Sequence, residues 1–422
     1  MHPTRNFTFS CLALVMLIGL SGQGFASIVA VTTNPACQPG LAHYATIQSA
    51  VSAVPTGSTI KVCPGNYAEQ VTITKNLTLI GVQFGTSDAA VVTVPGGGLV
   101  TNGVTDIFGF PTAAQIFVQN AAVTISHLAV DGANDGLTDC SIDAIGIYYQ
   151  NASGVITGNA VRNVLLAPAL QGCQDGLAIN VESNTGTPAV TISNNSVRNY
   201  DKNGITASGP DTGSPGPSVK VTGNTVIGLG ATSVIAQNGI QIGYGATGSV
   251  TSNNVADDIY TGPTYGASGI LIYGSTGVTV TSNTVESTQY GIVPVTESAS
   301  ETANGTIIKS NHVGGTQTFD AIDLCSDGNT AQSNVIYGSA ESGVHVDGEC
   351  PPSTGINNTV TGNTINEACA GILLGTGTPN TTAPNSFLNV TNTTLAGDTC
   401  TPSYGPSENH QSRRPSPYKM KN

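Results

Sequence analysis

One phrase recurs along this chain and restricts its fold more than any other feature: an asparagine, one spacer residue, then an aliphatic residue. It reads "ITGNAV" around Asn159, "ISNNSV" around Asn195, "VTGNTV" around Asn224 and "VTSNNV" around Asn253. It returns as "VTSNTV" at Asn283, "IKSNHV" at Asn311 and "VTGNTI" at Asn363, with looser members at Asn334 and Asn392. His127 in "ISHLAV" takes the same place one repeat earlier, and the steps run from 23 to 36 residues. A second phrase interleaves with the first: "DAIGI" at 143, "DGLAI" at 175, "NGITA" at 203, "NGIQI" at 238, "SGILI" at 268, "YGIVP" at 290, "DAIDL" at 320, "SGVHV" at 342 and "AGILL" at 370.

Alternation with period two marks strands whose apolar members face inward. A repeat of this length, built from short strands and Gly/Asn/Ser turns, stacks one coil on the next as a solenoid. Helical periodicity is nearly absent, which excludes the helix-containing repeats. The predicted fold is all-β, a right-handed parallel β-helix. With strands about 4.8 Å apart, an identical residue in each coil forms a ladder, and stacked Asn amides satisfy one another. The repeated asparagine is therefore read as structural. An open end of such a stack exposes strand edges. The stretch "YATIQSAVSAVPTG" places Ile47, Ala50, Val51 and Val54 on one face and predicts a short capping helix within residues 37–56.

The first 26 residues carry a basic start (Arg5), an apolar run and small residues before Ser27, the pattern of a secretory signal peptide. Residues 27–404 are assigned to the β-helix, and the polar, Pro-bearing residues 405–422 to a disordered tail. An exported chain, secreted, periplasmic or at the cell surface, is expected, without a membrane span in its mature part. The net charge is −13, and only Lys61, Lys75, Arg162, Arg198, Lys202, Lys220 and Lys309 are basic between signal and tail. Nucleic acid needs a basic face and is excluded as a partner. A monomer is expected.

Eight cysteines remain after the signal, an even number that in an exported chain points to disulfides. The intervals 37–63, 140–173, 325–350 and 369–400 are each about one coil. Neighbouring coils bring such pairs within disulfide reach, so the expected bridges are Cys37–Cys63, Cys140–Cys173, Cys325–Cys350 and Cys369–Cys400.

The segment "TIQSAV…GSTIKVCPGNYAEQVTI…LTLIG" resembles the opening of pectin methylesterases and of the wider pectin-lyase-like superfamily of β-helix proteins. Gly65, Tyr67 and Glu69 match the methylesterases' G-x-Y-x-E phrase, which the resemblance implies is structural. The methylesterase Q-D-T and G-R-x-W motifs do not occur, nor does the D-P-H-E phrase of alginate epimerases. Of the polygalacturonase motifs only the pair Asp257–Asp258 has a counterpart. The superfamily resemblance implies a protein that binds, or binds and cleaves, a polysaccharide or surface glycan, as hydrolase or lyase. The alternative is a non-catalytic surface or adhesive protein.

Candidate chemistry lies on the outward positions of the second strand. Asp323, His345 and Asp347 gather titratable groups on adjacent coils; in a hydrolase the two carboxylates would be the catalytic pair with His345 tuning one of them, and Asp257 with Asp258 is the fallback. Tyr148 and Tyr273 on the same face, with Tyr260 and Tyr265 on long loops beside it, are placed to stack on sugars. Arg162 and Arg198 fall at equivalent places in consecutive repeats and, with Lys202 near, form a clamp for a carboxylate or sulfate, unless Asp201 neutralises them. The acidic run "DGANDGLTDCSID" offers Asp131, Asn134, Asp135, Asp139 and Asp143 as oxygen ligands suited to Ca2+; the same composition also makes ordinary Asx turns.

Overall fold

The computed structural model describes residues 25–82, 89–210, 213–263, 265–316, 319–375 and 379–400. Most of residues 1–26, read above as a signal peptide, and residues 405–422, read as a tail, lie outside the described residues. One coil shows how the repeat folds. Strand Asn238–Gly243 turns into Thr247–Thr251, a sharp corner at Ser252 and Asn253 leads into Asn254–Tyr260, and a loop returns to Ser268–Tyr273 of the next coil. Every strand pairs in parallel with its equivalent one coil on, as Ile240 with Ile270, Val250 with Val280 and Val255 with Val285. The strands sort into a 13-stranded sheet and a 21-stranded sheet. The larger sheet carries two ladders side by side, which fuse in the last coils into Val335–Val346, Thr364–Leu374 and Ser386–Ala396. This is the expected right-handed parallel β-helix. Its core is the column of inward Val and Ile, each fully buried and worth roughly 1.5–3 kcal/mol.

The asparagine ladder runs Asn159, Asn195, Asn224, Asn253, Asn283, Asn311, Asn334, Asn363 and Asn385. Asn253 is typical. Its Oδ1 accepts from the backbone N–H and the Nδ2 of Asn224, both at 2.9 Å. Its own Nδ2 donates to Asn283 Oδ1 at 2.9 Å and to the Val221 carbonyl at 3.1 Å. Two assignments need correcting. Thr157 pairs with Ser126, which sets Asn159 level with Leu128 two residues on, and the Leu128 N–H donates to Asn159 Oδ1 at 3.0 Å, so the ladder place in that coil belongs to Leu128. His127 instead has φ 56°, like Ser252 at 57° and Ser282 at 56° in later coils. At the far end the ladder continues through Asn385, and Asn392 lies within the last strand. A second, shorter ladder joins Asn329, Asn358 and Asn380 at another corner, with backbone N–H to Oδ1 distances of 2.8 Å.

The four disulfides form as expected, with Cα–Cα separations of 6.3, 5.4, 5.5 and 5.8 Å. Closing loops of 25 to 33 residues stabilises the fold by roughly 3–4 kcal/mol each on the chain-entropy model. Cys369→Ser with Cys400→Ser should accordingly lower the urea midpoint and raise hydrogen exchange first in the terminal strand Ser386–Ala396. An unchanged midpoint would mean that this bridge restrains nothing.

The capping helix spans Ile47–Ala53 and buries Ile47, Ala50 and Val51. Thr46 is its N-cap, accepting from the Ser49 N–H at 3.1 Å. Glu69 takes two further free N–H groups, those of Ile47 at 2.8 Å and Gln48 at 2.9 Å. Tyr67 donates its hydroxyl to the carbonyls of Cys63 at 2.7 Å and Val31 at 3.1 Å. The Tyr–Glu pair of the G-x-Y-x-E phrase thus fastens the cap to the first coils.

Candidate functional site

The strand that carries the second phrase bends at its small residue. At Gly239 a Cβ would lie 2.3 Å from Val255 Cγ1 and 2.7 Å from the Gly269 carbonyl oxygen, so the chain passes too close for a side chain. Because of the bend, the residue before the small one and the residue two after it both point outward. Asn238 Nδ2 accordingly reaches Gln241 Oε1 at 3.2 Å. Three coils later, the same bend brings Asp320 to His345 of the following coil, with Nδ1 and Oδ2 3.2 Å apart. Strict alternation puts Asp320 and Asp323, three residues apart, on opposite sides, and for that reason Asp320 escaped the sequence reading.

Asp323 and His345 are register partners on adjacent coils, as expected, and His345 Nδ1 lies 3.8 Å from Asp323 Oδ1. Ser342 donates to the second oxygen of Asp320 at 2.6 Å. Asp347 accepts from the Glu349 N–H at 2.7 Å. Burial opposes a charge on the imidazole, but Asp320, followed by Asp323 and Asp347, outweighs it and pushes the His345 pKa up to about 9. The donor atoms of Asp320, Asp323 and His345 all lie within 4.8 Å of one another.

This cluster is sealed. The outward column from Tyr148 through Asn180, Thr206, Gln241, Leu271, Val293, Asp323 and His345 to Leu373 is at most 4% exposed anywhere. Apolar clusters outside the solenoid cover it. Phe319 stacks on Tyr290 with centroids 4.5 Å apart, the Cys325–Cys350 bridge lies beside them, and Leu373 packs with Cys369, Cys400 and Leu395. The expectation of an open face with a loop rim is corrected: the long loops fold onto the face, because their Phe, Tyr and Cys side chains gain more by burial there than in water. A catalytic role for Asp323 and Asp347 requires water and substrate, and both carboxylates are 2% exposed.

The tyrosines are placed by the same covering. Tyr148 is fully buried, stacks on Phe117 at 5.3 Å and donates to Glu182 Oε2 at 2.6 Å. Tyr273 donates to Glu297, and Tyr244 meets its ring edge-on at 5.3 Å. Tyr260 packs under its own loop against Tyr265, with centroids 6.1 Å apart. None of these forms an exposed wall. Asp258 points into the solenoid and accepts from the Tyr200 hydroxyl at 2.6 Å, and burial raises its pKa well above the usual range. Asp257 occupies the bend beside it with φ 65°. The fallback pair is therefore a bend beside a buried carboxyl bonded to Tyr200.

Arg162 and Arg198 do stack as register partners. The group that neutralises Arg162 is Asp131, with Nε to Oδ2 at 2.9 Å, and not Asp201. Asp201 is buried, and its burial, reinforced by Asp175, pushes its pKa up to about 8. Lys202 turns inward to the Ala236 carbonyl at 2.6 Å, and burial lowers its pKa to about 8. It belongs to no exposed clamp. The acidic run resolves into Asx turns: Asp131 accepts from the Ala133 N–H at 3.2 Å, Asp135 from Leu137 at 2.7 Å and Asp139 from Ser141 at 2.8 Å. Asn134 sits at φ 63°, and Asp143 starts strand Asp143–Gln150. Among the described residues, no three of these carboxylates bring ligand atoms within 4.8 Å of one another, so the Ca2+ assignment is replaced by turn chemistry.

Glu182 is a second buried acid that the sequence reading passed over. Tyr148 pairs with Asn180 and Asn180 with Thr206, so the next outward column runs through Gln150, Glu182 and Ser208. A slip of two residues keeps every inward residue inward, and alternation alone cannot detect it. Burial, then the charge of Asp106, pushes the Glu182 pKa up to about 7. A carboxyl with a raised folded pKa stabilises most below its unfolded value, and that contribution disappears as pH rises through about 7. Stability should fall between about pH 5 and about pH 7.5, by up to ~3 kcal/mol from this group. Urea midpoints at the two pH values check this, and Glu182→Gln should flatten the slope. An equal slope in the variant would assign it to Asp201 and Asp258 instead.

The described residues contain no helix long and apolar enough to cross a membrane. No curated protein matches the sequence. Among solved structures, PfbA, a surface adhesin of Streptococcus pneumoniae, superposes with a TM-score of 0.51 at 12% identity, covering 82% of this chain and 85% of that one. A lacto-N-biosidase from Eubacterium ramulus gives a TM-score of 0.51 at 12% identity, covering 86% of this chain and 68% of that one. At such identities the likeness is one of fold. The family model for the right handed beta helix region matches residues 114–307 and 213–387, well over half of the sequence, and the coil-by-coil pairing agrees with it: the chain belongs to the right-handed β-helix family.

Proposed function

We propose that this protein is an exported β-helix that binds a neutral polysaccharide along one face of its rod without cleaving it. The observation that carries the reading is the outer face of the 13-stranded sheet. One row there holds Thr157, Ser193, Thr222, Thr251, Thr281, Lys309, Gln332 and Thr361 in register. A second row, two residues away, holds Thr191, Lys220, Ser249, Thr279, Ile307, Thr330 and Thr359. The hydroxyl-bearing members are partly exposed. Strand spacing sets a grid of about 4.8 Å by ~6.7 Å. Such a grid repeats like a polymer does, so many weak hydrogen bonds add as avidity. The rows hold two lysines, but the chain as a whole carries a net charge of −13, which repels a uronate polymer and favours an uncharged glycan. The sealing of Asp323, Asp347, Glu182 and Asp258 supports binding without hydrolysis.

The test is co-sedimentation with cellulose, chitin and other neutral polysaccharides, beside uronate polymers and a reducing-sugar assay. Thr251→Arg with Thr281→Arg should cut binding at least about tenfold while changing stability by no more than about 0.5 kcal/mol. Undiminished binding by that variant would remove the grid, and release of reducing ends would replace this reading with the hydrolase one.

A further inference from the structure

We infer that Asp320, Asp323 and His345 form a structural site for one divalent transition-metal ion, with Zn2+ the best fit, buried beneath the Cys325–Cys350 bridge. The argument starts from geometry. In a tetrahedral site with metal–ligand distances of about 2.0–2.1 Å, neighbouring donor atoms stand ~3.3 Å apart. His345 Nδ1 is 3.2 Å from Asp320 Oδ2 and 3.8 Å from Asp323 Oδ1, close to that spacing, and the donor atoms of all three residues lie within 4.8 Å of one another.

Charge points the same way. Asp320, Asp323 and His345 are 0%, 2% and 0% exposed, and Asp347 adds a third carboxylate beside them at 2%. Buried carboxylates are costly unless a cation compensates them. Counting Asp347, three carboxylates carry −1 beside a divalent ion and a neutral imidazole, against −2 beside an imidazolium alone, so the ion offsets more of the buried charge. The outer shell is in place as well. Ser342 holds the other oxygen of Asp320 at 2.6 Å and fixes which lone pair faces the site.

The donor set selects the metal class. Ca2+ takes six to eight oxygen ligands, and a sealed pocket with one ring nitrogen and two carboxylates does not offer them. A nitrogen with two oxygens suits Zn2+ and its neighbours, which take imidazole readily. The site ties strand Ile322–Leu324 to strand Val335–Val346 next to a disulfide, in the coils where the two ladders fuse. It acts as a brace and is independent of the polysaccharide reading.

The experiment uses the full exported chain, unfolded with its disulfides intact in the presence of chelator and refolded with Zn2+ or Co2+, since a sealed site loads during folding. After gel filtration, metal analysis should give one equivalent per chain. X-ray absorption should show only nitrogen and oxygen scatterers at about 2.0–2.1 Å, and the loaded protein should melt at higher temperature than the metal-free one. His345→Gln with Asp320→Asn should lose the ion. A wild-type chain that retains no metal, a sulfur scatterer, or full retention by the double variant overturns the assignment. Where the double variant does not fold, stoichiometry and scatterers in the wild type decide alone.

Discussion

Replacing Gly248 with alanine should prevent the chain from reaching its native state. Gly248 has φ +130°, which L side chains rarely adopt, and a Cβ there would lie 1.8 Å from the Val219 carbonyl oxygen and 2.9 Å from the Val219 nitrogen. Both obstacles are backbone of the preceding coil, and backbone locked in a parallel ladder cannot step aside. The loss should exceed about 4 kcal/mol, the range reserved for steric and strain failures. Gly277 is the control. It has φ +70° with nothing within 4 Å of its Cβ, so alanine there meets only the backbone penalty of about 1 kcal/mol. Urea unfolding of the two variants checks the contrast. Two variants within about 1 kcal/mol of each other would mean that the coils do not approach as closely as described. Gly154 repeats the geometry, with the Val123 carbonyl oxygen at 1.8 Å, and should fail in the same way.

The next largest effect is expected at the middle of the asparagine ladder. Asn253→Ala removes the acceptor of the Asn224 N–H and the donor to the Val221 carbonyl, in a corner where Asn224 and Asn253 are only 1% and 2% exposed. Each buried group left without a partner costs ~1–3 kcal/mol, so the variant should lose roughly 2–5 kcal/mol. A solenoid couples mainly neighbouring coils, so the weakening should appear as faster hydrogen exchange in the strands flanking residue 253 before the ends respond. Asn385→Ala, in a part-buried corner at the end of the stack, should lose less. Equal losses at both places would show that the ladder works through the denatured state and not through these bonds. Polysaccharide binding by the folded fraction of Asn253→Ala should stay unchanged, since this corner lies off the hydroxyl grid.

The disulfides and the ladder share a reason for being legible. Both follow from coil length, and in a solenoid one coil of sequence is one step of stacking. Cys325 and Cys350, 25 residues apart, needed no knowledge of the loop between them. The errors share a reason too. The ladder place of Leu128 is hidden because its coil lacks the asparagine that marks the corner, and the neighbouring His127 is the polar residue there. The outward column through Tyr148, Asn180 and Thr206 cannot be told in the sequence from one that passes through Ser208, because alternation repeats every two residues.

What the sequence by itself determined is everything that repeats: inward Val and Ile at period two, an asparagine at each corner, cysteines one coil apart, and a glycine wherever coils approach too closely for a Cβ. Those features are local in a stacked fold, because each coil meets only its neighbours. Tertiary structure alone decided which outward residues see water. Asp320 reaches His345 only through the bend at the small residue of its strand, and Glu182 lies under a loop 75 residues away, whose Ile107 N–H donates to it at 3.3 Å. Covering of that kind depends on non-repeating loops that fold back on the rod, and their destination is set by packing of Phe108 on Tyr244, of Phe319 on Tyr290 and of the Cys325–Cys350 bridge beside them. No period in the sequence encodes that choice, because the energy that drives it is apolar area removed from water, which has no direction along the chain.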